Sequence, residues 1–345
     1  MKTETVNQQQ KQLERSSSIR TIIKQYYIYA VLLLIVFTFS MLKLDEVRFF
    51  EPGHFLSPDS VINILRIGVP ILTLSGAFTL LMISGNIDLS VGSAMSLSAV
   101  IYSWLVLNGF SFLPAFLITL VVGIIMGFIN GHLVMKLRIT PVIATLITLS
   151  LFKGVALLIV PDGSSSIKSS ATQKMPGWIN DYGREDVLLG LPWAFWIAIL
   201  VIVVMFIIQK RMVLGKYAAA IGGNRLAAEL SGINAVGVGW QIYIIVGICA
   251  ALAGIARGSY MSLGDPLSGD GMETSCIIAV LLGGTAFSGG EGSTLKTTIG
   301  ALIIICVTTG LMTVIPAYWQ MLVTGGVLLL AVVINTLVST EIVKA

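Results

Sequence analysis

Apolar residues run along this chain in long blocks, and the polar residues are pushed into the gaps between them. About ten blocks stand out, near 26–42, 61–83, 89–107, 112–135, 142–160, 191–209, 240–262, 274–290, 295–315 and 318–338. A helix needs roughly 20 mostly apolar residues to cross a bilayer, and each block is of that order. The pattern therefore predicts an all-α polytopic membrane protein of about ten transmembrane helices. The eighth block is broken by glycines and is the weakest. Two Gly/Ser-rich interruptions, "GNIDLSVGS" (85–93) and "FSGGEGS" (287–293), fall one in each half. Paired interruptions of this kind mark the pathway in many transporters.

The gaps define the organisation. Residues 1–25 form a polar, Gln-rich tail, 26–338 the membrane domain and 339–345 a short C-terminal tail. Two connections are long: 161–190, rich in Ser, Gly and Pro, and 210–239. Only the second carries a folded pattern. After Gly222-Gly223-Asn224, residues Leu226, Ala227, Leu230 and Ile233 recur at helical spacing and Gly232 ends the run, which predicts a short helix on the membrane surface. Lys and Arg orient the whole. With the N-terminus inside, thirteen of them fall on the cytoplasmic side, among them Lys136, Arg138, Lys210, Arg211, Lys216, Arg225 and Lys296, against five outside: Lys43, Arg48, Lys168, Lys174 and Arg184. Both termini are thereby predicted to be cytoplasmic.

Composition excludes a water-soluble fold. The chain is 56% hydrophobic and 11% charged, less than half the charge a soluble domain carries. The net charge of +4 reflects the loop asymmetry and calls for no nucleic-acid partner. The first block has a long basic leader and no small-x-small cleavage site after it, which separates it from a cleaved signal peptide. Cys249, Cys276 and Cys306 sit in separate spans without metal-like spacing and read as packing residues. The Trp residues lie mostly near span ends, as an interfacial belt would place them.

Phe287-Ser288-Gly289-Gly290-Glu291 resembles the Leu-Ser-Gly-Gly-Gln signature of ABC ATPase subunits, so a nucleotide site has to be tested. A phosphate cradle needs Gly-x-x-x-x-Gly-Lys-Ser/Thr between a strand and a helix. The nearest approach, "GGEGSTLKT" (289–297), has Leu295 where the second Gly must stand. The five-residue likeness lies between two spans and is accidental. His54 and His132 are the only histidines and lie far apart, so neither a zinc-protease helix nor a Ser/His/Asp triad can be built. No enzyme, metal site or cofactor is expected.

Four segments in order carry a resemblance: "ISGNIDLSVGS" (83–93), "GFINGHLVMKLRITPVIATL" (127–146), "LGKYAAAIGGNRLAAELSGI" (214–233) and "AVLLGGTAFSGGEGS" (279–293). Together they resemble the permease subunit of a ribose-type ABC sugar importer, over about 60–338. The resemblance implies a bacterial inner-membrane protein that works as two permease copies, with a cytoplasmic ATPase and an extracytoplasmic sugar-binding protein. It also implies that the ATPase docks on the 210–239 loop. There Leu214, Gly215, Tyr217, Gly222, Gly223, Asn224, Ala227, Ala228, Ser231, Gly232 and Ile233 match the family pattern. Arg225 and Glu229 form an i,i+4 pair that is either part of the dock or plain solvated surface. Lys216 stands where the family often has Arg, and Ala219 where an aromatic is frequent.

The same resemblance and the cost of burying charge in a bilayer select pathway candidates: Asn86, Asp88, Ser90, Asn130 and Glu273. Three roles are open to Asp88: capping the helix that begins near Leu89, gating or stabilising the path, or touching sugar hydroxyls. Asn130 reads as an interhelical hydrogen bonder ahead of a ligand contact. Glu273 matches the family, but Thr274 and Ser275 follow it where the family has an apolar residue and then Asp. The alternative to an importer subunit is a stand-alone ion-coupled carrier or channel. Such a carrier usually needs carboxylates deep in several spans, and this chain offers mainly Asp88 and Glu273.

Overall fold

The computed structural model describes residues 28–40, 55–161, 165–169, 174–185 and 187–312, with five single positions between 319 and 329. The predicted tails and most of the tenth block lie outside the described residues. The helices are α1 (Ile28–Ser40), α2 (Pro58–Ile67), α3 (Val69–Ile83), α4 (Val91–Leu107), α5 (Phe112–Gly131), α6 (Pro141–Ile159), α7 (Trp178–Gly183), α8 (Trp193–Arg211), α9 (Val213–Gly223), α10 (Arg225–Leu230), α11 (Ala235–Met261), α12 (Met272–Leu282) and α13 (Thr294–Met312). A π-helical turn, His132–Lys136, extends α5. Two strands of two residues each, β1 (Ile167–Lys168) and β2 (Leu263–Gly264), pair antiparallel. They are a small exception to the all-helical expectation.

Among the described residues five helices are long and apolar enough to cross a membrane, or six if the bent pair α2–α3 is one span. The all-α membrane class is therefore plain. The shorter apolar helices α1, α4 and α12 occupy three of the other predicted blocks. The eighth block differs from its prediction. Instead of a span over 274–290, α12 has 11 residues, which reach about 16 Å, half of a hydrocarbon core. Gly271 (φ 82) precedes it and Gly284 (φ 76) ends it. Gly284 N–H bonds Leu281 O and Thr285 N–H bonds Val280 O, a Schellman ending that satisfies the last carbonyls.

The core is built around α3 and α11. Every residue of α3 is buried, which fits a helix apolar on all sides. It is enclosed by α8, α11, α12 and α13. α11 has 27 residues and packs along α3, α4 and α5. Against α5 the backbones themselves touch: a Cβ on Gly123 or Gly127 would meet the Gly247, Tyr243 and Ile244 backbone, and one on Gly247 would meet Gly123 O. Lipid offers apolar side chains no hydrophobic gain over one another, so close backbone approach through small residues is what holds two such helices together.

The bundle has two distinct ends. At one, α9 and α10 lie beside the α3–α4 connection and the 283–293 turn. At the other, β1 and α7 pack on the end of α11, where Arg184 Nη2 donates to Tyr260 O (2.7 Å) and Ser262 Oγ to Asn180 Oδ1 (2.7 Å). After β2 the chain turns back into the bundle, and Gly269 N–H donates to Ser96 Oγ of α4 (2.8 Å). α12 therefore starts beside the entry to α4, partway along the bundle rather than at its α7 end. Gly247→Leu should cost about 1–3 kcal/mol by forcing α5 and α11 apart, seen as a lower melting temperature in mild detergent. A variant that melts with the parent would show that this contact is not close-packed.

Candidate functional site

The two Gly/Ser-rich interruptions, one from each half of the sequence, meet in space. α3 ends in a Schellman motif at Gly85 (φ 76), with Gly85 N–H on Met82 O and Asn86 N–H on Leu81 O. That leaves Ile83 O free to accept the N–H of Gly290 (2.8 Å). Gly222, near the end of α9, lies on the same spot: a Cβ there would strike Ile83 O and the Gly290 N–H. Three chain segments thus touch backbone to backbone, and only glycine allows it. A cavity of about 260 Å³ opens beside the junction, lined by Ser84, Asn86, Gly222, Asn224 and Ser288 among others.

α9 and α10 refine the single surface helix expected from the sequence. Gly222 and Gly223 are the last residues of α9, and the turn falls on Asn224 (φ −157°), whose Oδ1 accepts Ala227 N–H (3.0 Å) and so caps α10. Gly232 (φ 85) closes α10 with a third Schellman pair, its own N–H on Glu229 O and Ile233 N–H on Ala228 O. Gly215 is buried against the last turn of α8, while Tyr217, Arg225, Ala227, Ser231 and Gly232 are exposed. Ala228 faces inward at 5% exposure, whereas Leu226 and Leu230 stand out at 67% and 81%. The two leucines stand one turn apart on the outer face of a short helix. The ion pair Arg225–Glu229 (2.9 Å) is half-exposed and contributes little.

A second polar cluster sits behind the junction. Asp88 is 3% exposed and Asn130 2%. Asp88 Oδ1 accepts Ser90 N–H (2.8 Å) and Ser90 Oγ (2.6 Å), and its Oδ2 accepts Asn130 Nδ2 (3.0 Å). Asn130 Nδ2 also donates to Ser90 Oγ (2.8 Å). The entry to α4 is thereby tied to the last turn of α5, and Tyr243 OH of α11 adds a bond to Ile87 O (3.2 Å). Asp88, Ser90 and Asn130 are together, and Asn86 lies on the cavity side with its Nδ2 on Ser84 Oγ (3.0 Å). Glu273 is not in this group. It stands in the first turn of α12, against Gly92 of α4.

Two features escaped the sequence reading. Gln209, at the end of α8, clamps the 287–293 turn: its Nε2 donates to Gly292 O and its Oε1 accepts Thr294 N–H, both at 2.8 Å. Lys153 of α6 pairs with both oxygens of Asp270 (2.9 and 2.8 Å). Glu273, which lacks a second acid after it, thus has one three residues before it. His132 is accounted for by ring contacts with Phe128 and Trp240.

A bundle of apolar helices, two of them starting or ending inside it, with a separate pair of surface helices seated on the breaks, is the build of a membrane permease that is worked by another subunit. Residues 60–332 match the family described as the permease component of branched-chain amino acid transport systems, and the chain belongs to it. It is 32% identical over 318 residues to the D-allose transport system permease protein AlsC of Escherichia coli, covering 91% of this chain and 92% of that protein. It is 33% identical over 283 residues to the ribose import permease protein RbsC of the same species (82% and 87%), and 33% over 254 residues to the galactofuranose transporter permease protein YtfT (73% and 72%). No solved structure matches the chain. These likenesses decide for the importer permease over the stand-alone carrier, and for a multi-pass transport protein over an enzyme.

Asn130→Asp sets a second carboxylate against Asp88. Like charges at this distance cannot both ionise, so the folded variant must keep a proton on one carboxyl. It should lose about 1–3 kcal/mol near neutral pH, where the unfolded chain gives that proton up, and recover part of it in acid, where the unfolded chain holds it too. Melting curves across pH test this; a deficit independent of pH would exclude the electrostatic cause.

Proposed function

We propose that this chain is the translocation-pathway subunit of an ATP-driven, binding-protein-dependent importer of a monosaccharide or a related small polyol. The family's description names amino-acid transport, but the relatives that cover the chain at 32–33% identity are named for allose, ribose and galactofuranose, and they favour a sugar. The setting is a bacterial inner membrane, crossed about ten times, with both termini and the α9–α10 end in the cytoplasm. Two copies form the path, a cytoplasmic ATPase grips α9 and α10, and an extracytoplasmic binding protein delivers substrate to the α7 end.

The observation that carries the mechanism is the contact of Gly222 with Ile83 O and Gly290 N. When the ATPases close on ATP they displace α9 and α10. Because α9 touches both interruptions without a side chain between, that motion passes directly to the end of α3 and to the turn that leads into α13. The Asp88–Ser90–Asn130 cluster keeps the α4 entry fixed to α5 while this happens, so the rocking is of one helix group against another. Here Asp88 acts as a tie between Ser90, where α4 begins, and Asn130; it does not cap the first turn of α4. Asn86, on the cavity side, is the pathway candidate nearest the dock.

Co-purification tests the subunit role. The tagged chain, solubilised from its host in mild detergent, should bring down an ATPase, and Leu226→Asp with Leu230→Asp should lose it without lowering the melting temperature, because both side chains are exposed. A parent chain that purifies alone and moves solute in liposomes would defeat the reading. Gly222→Ala should cut transport about tenfold or more per ATP hydrolysed, the size of a typical coupling energy. Gly223→Ala, where a Cβ meets nothing within 4 Å, is the control; equal effects would remove the junction from the mechanism.

A further inference from the structure

The ion pair Lys153–Asp270 is out of place in a chain of this kind. Lys153 lies six residues from the end of α6, about 9 Å along the helix, within a 19-residue apolar span. Asp270 follows Gly269, whose backbone packs on Gly92 at the start of α4. The rest of α4, to Leu107, extends about 20 Å beyond that level. Both charges are therefore at membrane depth. Yet 31% of the Lys153 side chain and 52% of the Asp270 side chain are open. A lysine near a span end can stretch toward the headgroups, but this ammonium is held on both carboxylate oxygens and does not. An ion pair half-open to hydrocarbon is costly, and charged groups in spans face protein interior or water.

The neighbouring positions are polar too. Ser268, Glu273, Thr274 and Ser275 are partly exposed along the same re-entrant stretch, and Glu273 lies within electrostatic reach of both members of the pair. Elsewhere on α6 the surface is different: Ile147, Leu151 and Leu158 present the open apolar side chains that lipid needs.

We propose that Lys153, Asp270 and Glu273 line the aqueous path of the importer and receive the hydroxyl groups of the passing sugar. This rests on the function proposed above and names the wall of the path in this chain. A neutral polyol suits the site. An ammonium paired with one carboxylate and within reach of a second offers donors and acceptors side by side, as a row of hydroxyls does, and it neutralises the carboxylate it is paired with. The pair also holds α6 to the loop before α12, so a sugar that competes for Lys153 or Asp270 loosens that contact as it passes.

Cysteine labelling in the complete importer, reconstituted with its ATPase and binding protein, tests the proposal. Lys153→Cys and Asp270→Cys should react with a membrane-impermeant charged thiol reagent, while Leu151→Cys and the parent, whose three cysteines are buried, should not. Saturating sugar with its binding protein should slow the reaction severalfold. Failure of both positions to react in any nucleotide state would overturn the proposal. So would a disulfide between the thiols that Lys153→Cys introduces in two copies, which would make this face a subunit contact. Transport and co-purification by the parent keep either result separate from failure of the importer reading. If the cysteine variants do not assemble, the double reversal Lys153→Asp with Asp270→Lys decides. It should assemble and transport, with a changed ratio of D-ribose to D-allose uptake; an unchanged ratio would overturn the proposal.

Discussion

A bilayer supplies no water to a broken helix, so each backbone polar group freed by a break must find a partner within the protein. That constraint shapes this chain more than any other. It has breaks at 84–90, at 265–271 and at 283–293, and each is answered by backbone or by a buried side chain. Schellman pairs close α3 and α12. Ser96 receives the N–H of Gly269, Gln209 receives that of Thr294, and Ile83 that of Gly290. The partners come from distant parts of the sequence, so the breaks are also what lock the halves together.

The buried polar groups that tie one element to another are arranged economically. Ser90 Oγ both donates to Asp88 and accepts from Asn130, so one hydroxyl links two elements. A carboxylate with three donors is far better placed than one left bare, whose burial would be strongly unfavourable. Gln209 similarly uses both ends of its amide on one turn. Each cluster fixes a geometry at the cost of desolvation, and each stands where a helix starts in the interior of the bundle.

The membrane class, the positions of most of the long apolar helices and the short helix after Asn224 were legible in the sequence, because apolar length and 3.6-residue spacing are local signals; α9, which precedes the Gly-Gly-Asn turn, was not. Gly232 as a stop was legible for the same reason. The short α12 was not: an apolar run over 274–290 looks the same whether it crosses once or turns back, and only packing of Gly269 and Gly283 on α4 and α13 distinguishes them. Gln209 falls at the last position of the block 191–209, with nothing local to mark the turn it holds. Lys153 was visible as a charge in a span, but its partner lies 117 residues away, beyond any pattern of spacing. The pathway candidates divided accordingly. Asp88, Ser90 and Asn130 converge on one cluster, while Glu273 belongs with residues that no motif had joined to it.

The complete burial of α3 has a consequence for how the protein is made. Trp193, which opens α8, follows Ile83 by 110 residues, and α11, α12 and α13 come later still. When α3 leaves the ribosome, none of the helices that will enclose it has been synthesised. A polar stripe meant for a later neighbour would strand it at the insertion step. Its surface, apolar on every side, lets lipid stand in for protein until the rest arrives, and the exchange of one for the other then completes the fold.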